Sequence, residues 1–177
     1  VPFVETHGMV PANPQSHSGN LATLVSHELI ESGISHETIE GFALLTNFHT
    51  LNLTVANVHL APGKSASHIR KSQISKIVGA SHTEHLAIVG DTNTRSSEIE
   101  AIEAAGLRAP KPPVPTWNSY RNRFHSSSPK FQTNFTRSFT HPDIATEELQ
   151  VLEGCVARQG KKFFISDHFA LFGYMKL

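Results

Sequence analysis

Apolar residues along this chain come mostly in short β-rich runs separated by turn-forming clusters, with a helical spacing in only two places. Phe42 to Phe48 and Leu51 to Leu60 are two such runs, joined by the hairpin-like pair His49-Thr50. Leu51, Leu53, Val55, Asn57 and His59 share one parity, and Asn52, Thr54, Ala56, Val58 and Leu60 the other. Neither set is purely polar, so this strand is expected to be buried on both sides, as in a layered sandwich. Pro62-Gly63 breaks the run, and Ser65 to Ala80 reads as a helix with Ile69, Ile74, Ile77 and Val78 as its apolar stripe. Leu86 to Val89 is a compact strand with a turn at Gly90. Ser96 or Ser97 can cap a further helix that runs through Ala105 and stops at Gly106. The alternation of strand and helix predicts an α/β (α+β) class.

The flanks are less regular. Residues 1–18 contain Pro2, Gly8, Pro11 and Pro14 and read as an irregular lead-in to one domain over 19–177. Asn20 to Ser26 is a strand candidate, and Glu28 to Gly41 a polar loop or edge segment. Pro110, Pro112, Pro113 and Pro115 make a stiff loop, and a polar stretch from Trp117 to Lys130 follows. Weaker strands are expected at Phe131 to Thr140, Leu149 to Val156, Phe163 to Ile165 and Phe169 to Tyr174.

Composition narrows the function classes. A chain of 177 residues suffices for one domain with a real core. Fifteen basic and fifteen acidic residues balance, which argues against a basic protein wrapping nucleic acid but leaves room for a local groove. Cys155 is the only cysteine, so neither an internal disulfide nor a thiolate zinc cage can form; a reducing, intracellular compartment is expected. No apolar run is long enough to span a bilayer, so no membrane role is expected.

Candidate chemistry gathers at three strand ends. They are Ala56-Asn57-Val58-His59-Leu60, Ile88-Val89-Gly90-Asp91-Thr92-Asn93, and Ser166-Asp167-His168. Hard oxygen donors suit Mg²⁺ or Mn²⁺, and imidazoles suit a phosphoryl oxygen. Each motif also has a plain structural reading: Gly-Asp-x-Asn is good turn chemistry, and a lone strand histidine is more often a hydrogen-bonded core residue. Arg70 is either a solvated charge or a group reaching back to an acidic strand end. Trp117 is either a loop anchor or a platform for stacking a base.

In that order and in β contexts, Asn-x-His-Leu, Gly-Asp-x-Asn and Ser-Asp-His resemble the endonuclease/exonuclease/phosphatase superfamily, the DNase I-like fold. The likeness runs from about Gly19 to Leu177. Thr116-Trp117-Asn118-Ser119-Tyr120 is similar to a loop of the tyrosyl-DNA phosphodiesterase 2-like branch. The resemblance implies a four-layer α/β sandwich and Mg²⁺- or Mn²⁺-dependent hydrolysis of a phosphoester, in nucleic acid or a nucleic-acid adduct. It assigns Asp91, Asn93, His168 and His59 to catalysis, and Asp91 and Asp167 to the metal. Asn57, Arg70, Trp117 and Asn118 would bind phosphate or substrate.

Two departures keep a second reading open. The strand-borne Asn and metal-binding Glu that precede this region in the family have no counterpart here, so the domain is expected to be truncated at its N-terminus. Thr136 stands where the branch has an Asp, with Asp143 nearby as a substitute. A metal held without the Glu would bind weakly. The alternatives are completion of the fold by another polypeptide, or a degenerate, non-catalytic scaffold or binding module in a larger assembly.

Overall fold

The computed structural model describes residues 9–11, 21–31, 33–122, 124, 129–158, 161–164 and 166–177. Its frame is a five-stranded sheet whose strands lie in the order β3 (Ile34–Ile39), β4 (Ala43–Phe48), β5 (Leu53–His59), β6 (His85–Asp91) and β9 (Thr136–Thr140). The expected hairpin is present: β4 and β5 pair antiparallel from Ala43↔Val58 to Phe48↔Leu53. β5 and β6 pair in parallel, with helix α2 (Ser67–Ala80) between them in sequence. β6 then pairs antiparallel with β9.

The helices cover one face. Ala56 and Val58 of β5, Leu86 and Ile88 of β6, and Phe139 of β9 meet Ile74 and Ile77 of α2 in one core cluster. Ile102 of helix α3 (Ile99–Ala104) joins them. The apolar stripe of α2 differs from its expected form. Ile74 and Ile77 are buried, but Ile69 and Val78 are exposed, and the remaining inward position carries Arg70.

On the other face, β1 (Met9–Pro11) pairs with β2 (Leu24–Ser26), so the lead-in contributes a strand within its irregular stretch. Val25 packs with Phe48, Leu53 and Val55. Helix α1 (His27–Glu31) and edge strand β3 occupy the segment expected to be a loop or edge. β10 (Ala145–Leu152) and β13 (Ala170–Lys176) pair antiparallel beside Val89 and Ser138. Two short pairs complete the chain: β7 (Trp117–Asn118) with β8 (Gln132–Thr133), and β11 (Cys155–Arg158) with β12 (Lys161–Phe164). Among the described residues no helix is long and apolar enough to cross a membrane.

Candidate active site

The register of three adjacent strands builds the site. His59 pairs with Asp91 across β5 and β6, and Asp91 pairs with Thr136 across β6 and β9. A histidine, a carboxylate and a hydroxyl therefore stand side by side at one end of the sheet's strands. Gly90 makes this pairing possible. Its φ is +129°, and a Cβ there would overlap the Val58 carbonyl oxygen and sit 3.0 Å from Val58 N.

His168 reaches the cluster from the segment between β12 and β13. Phe169 N donates to the Thr116 carbonyl at 2.8 Å, and His168 N donates to Ser166 Oγ at 3.1 Å, which seats the ring. His168 Nε2 then lies 3.7 Å from Asp91 Oδ2, and His59 Nε2 lies 3.6 Å from the same oxygen. The other Asp91 oxygen accepts the backbone N–H of Asn93 at 3.2 Å. Asn93 has a left-handed backbone, φ +51°, which an asparagine tolerates, and its Nδ2 donates to Leu60 O at 3.1 Å. The Gly-Asp-x-Asn turn thus fixes the carboxylate while leaving its Oδ2 edge to the two imidazoles.

An aromatic wall closes one side. The Trp117 ring meets His168 edge-on at 5.0 Å, Phe135 at 5.8 Å and Phe131 in a stacked pair at 5.8 Å. The Arg95 guanidinium sits 4.3 Å over Phe135, and its Nη1 donates to Asn93 O at 3.0 Å.

No protein-family model matches the sequence, and no curated protein matches it. Solved structures do. TDP2 of D. rerio complexed with single-strand DNA product superposes with a TM-score of 0.68 at 16% identity, over 99% of this chain and 81% of that one. The endonuclease domain of TRAS1, a telomere-specific non-LTR retrotransposon, gives 0.58 at 14% identity, over 96% and 81%. A mannosyl-6-phosphatase of Bacteroides thetaiotaomicron gives 0.54 at 16%, over 76% and 57%. The chain has the DNase I-like fold.

Within this DNase I-like frame the expected residues divide. His59, Asp91, Asn93 and His168 come together. Asp167, half-buried, is next to His168. Asn57 lies two residues before His59, but its Nδ2 donates to Ala22 O at 2.9 Å and ties β5 to the segment before β2. Trp117 stands against His168, whereas the Asn118 oxygen accepts the N–H groups of Tyr120 and Arg121 and shapes its own turn.

Arg70 is a correction. Its side chain is fully buried and cannot meet a substrate phosphate. Nε and Nη2 grip the two Glu98 oxygens at 2.9 and 2.6 Å, and Nη1 donates to Ala61 O and Gly63 O at 2.8 and 2.7 Å. Each of its three nitrogens donates to a protein acceptor, which fastens α2 to the turn before α3. Burial alone would raise the Glu98 pKa, but the hydrogen bonds from Arg70 and the Arg95 amide, with both arginine charges, bring it below the ordinary value. Asp143 is the second correction. It bonds His85 Nδ1 at the opposite end of β6 from Asp91, a distance of roughly 20 Å along seven strand residues, so it does not replace the missing Asp.

Thr136, Arg95 and Phe135 are additional residues of the site. Arg95 lies two positions beyond Asn93 and was detectable by that spacing; Phe135 looked like any core aromatic. Arg95 has its pKa lowered by burial and then by Arg70, with Glu98 and Asp91 opposing. Among the described residues no three His, Cys, Asp or Glu side chains converge as a metal-holding group. The donors present do not by themselves form a cage for Mg²⁺ or Mn²⁺.

Proposed function

We propose that this chain is a phosphoester hydrolase acting on nucleic acid or a nucleic-acid adduct. The observation that carries the reading is the convergence of two imidazole Nε2 atoms on one carboxylate oxygen, at 3.6 and 3.7 Å, beside an aromatic wall. A phosphodiester brings an anionic phosphorus centre, developing negative charge and rings that stack. Nε2–H groups of His59 and His168 would donate to the phosphoryl oxygens and stabilise charge that develops in the transition state. Asp91, held by the Asn93 amide, would orient the attacking water and accept its proton. The Trp117 indole, next to His168, would pack against a base or aryl group of the substrate.

The fold supports a reaction of this kind, because solved structures sharing it include TDP2 with a DNA product, an endonuclease domain and a sugar phosphatase. The requirement for Mg²⁺ or Mn²⁺ belongs to this proposal too. With no three-residue cage among the described residues, such an ion would need phosphate oxygens and water to complete its shell, so its binding without substrate would be weak.

The test is hydrolysis of a single-stranded oligonucleotide and of a generic aryl phosphodiester with Mg²⁺ or Mn²⁺, repeated with Asp91→Ala and His168→Ala. Loss of rate in both variants supports the assignment. Unchanged rates would remove it, and a folded chain with no hydrolysis that still binds its target would favour the scaffold reading.

A further inference from the structure

Thr136 Oγ1 lies 2.8 Å from His168 Nδ1, and both residues are held by their backbones. Thr136 pairs with Asp91 across the sheet. From its other side the buried hydroxyl of Thr116 accepts Thr136 N–H at 3.1 Å and donates to Thr136 O at 3.2 Å. Thr116 also holds the histidine segment, since its carbonyl accepts the Phe169 N–H. Ser166 takes the His168 N–H on its hydroxyl, and its carbonyl accepts Asn122 Nδ2 at 2.7 Å. One threonine hydroxyl and one threonine carbonyl thus fix both ends of the Thr136–His168 contact, and the opposite ring nitrogen faces Asp91.

We propose that Thr136 is a positioning residue that orients His168 without selecting its tautomer. A carboxylate at this place could only accept, and would hold the proton on Nδ1. A hydroxyl donates and accepts. With its proton on Nδ1, the neutral ring donates to Thr136 Oγ1 and presents a lone pair at Nε2. With its proton on Nε2, the ring accepts the Thr136 O–H at Nδ1 and presents a donor. Both forms keep the same ring orientation, so Nε2 can give a proton to a phosphoryl or leaving oxygen, or receive one, without repacking against Trp117. The kinetic consequence rests on the hydrolytic reading above; the tautomer assignment does not.

The experiment uses the full chain labelled with ¹⁵N-histidine. His168 ring resonances are assigned by loss in His168→Gln and measured above the range in which imidazole is protonated. Ring nitrogen shifts averaged between the two tautomers are expected, retained in Thr136→Ser. Thr136→Asp should move them to the Nδ1–H form, whereas Thr136→Val should keep the tautomer average and instead loosen the ring, changing its carbon-bound proton shifts against Trp117. A backbone amide spectrum confirms that each variant is folded. Should the native ring already be one tautomer, or Thr136→Asp leave its nitrogen shifts unchanged, the proposal is overturned. With hydrolysis in hand, Thr136→Val should lower kcat by about 10- to 100-fold with little change in KM, and Thr136→Ser should recover it. A native chain without hydrolysis sinks the hydrolytic reading alone, and the ring shifts still decide the tautomer.

Discussion

Arg70 and Glu98 form a two-pronged ion pair that joins helix α2 to the turn before α3, with the arginine side chain fully buried. Removing only the acid would strand a buried guanidinium. Glu98→Ala should therefore destabilise the fold by about 3–5 kcal/mol, whereas an apolar double replacement of Arg70 and Glu98 should cost much less. Urea midpoints of the single and double variants measure the difference.

The same pair sets an acid limit. The folded-state pKa of Glu98 is lowered, so its contribution is fully present above the unfolded-state value. Stability should begin to fall as the pH drops past about 4.3, the ordinary glutamate value, and continue to fall below it. In Glu98→Gln this component of the acid loss should shrink. Urea titrations across that range would show it, and equal acid slopes in the two chains would contradict it.

Gly90 pairs with Val58 across β5 and β6, with no room for a Cβ between them. Gly90→Ala combines a left-handed backbone with an overlap at the Val58 carbonyl. A loss of more than about 2 kcal/mol is expected, together with displacement of Asp91 from His59. Thermal unfolding checks the first part, and histidine ring NMR the second.

His59 and His168 differ in exposure although both face Asp91: their side chains are 55% and 18% exposed. The better-fixed ring should matter more. His168→Ala is expected to lower phosphodiester hydrolysis by about 10²–10³-fold, and His59→Ala by less. Single-turnover rates on an oligonucleotide give the order, and a larger loss at His59 would reverse the assignment of roles.

Trp117→Ala should weaken binding of single-stranded nucleic acid by about 1–3 kcal/mol, or roughly 5- to 150-fold in Kd. Trp117→Phe should retain most of it. Fluorescence anisotropy with a labelled oligonucleotide reads both, while Arg70→Lys, if folded, should leave the affinity unchanged.

The β4–β5 hairpin, helix α2, strand β6 and the three chemistry-bearing strand ends were legible in the sequence, because side-chain period and turn chemistry are local properties. The family resemblance carried by residue order also implied that His59, Asp91, Asn93 and His168 belong together. Only the tertiary structure decided what each polar group faces. Arg70 turned out to serve Glu98, 28 residues away, and Thr136 to serve His168, 32 residues away. The Asn57 amide donates to the Ala22 carbonyl, 35 residues away, which no spacing rule reveals. A partner across that much chain is chosen by strand register and by the cost of leaving a buried donor or acceptor unpaired, and both exist only once the sheet has formed.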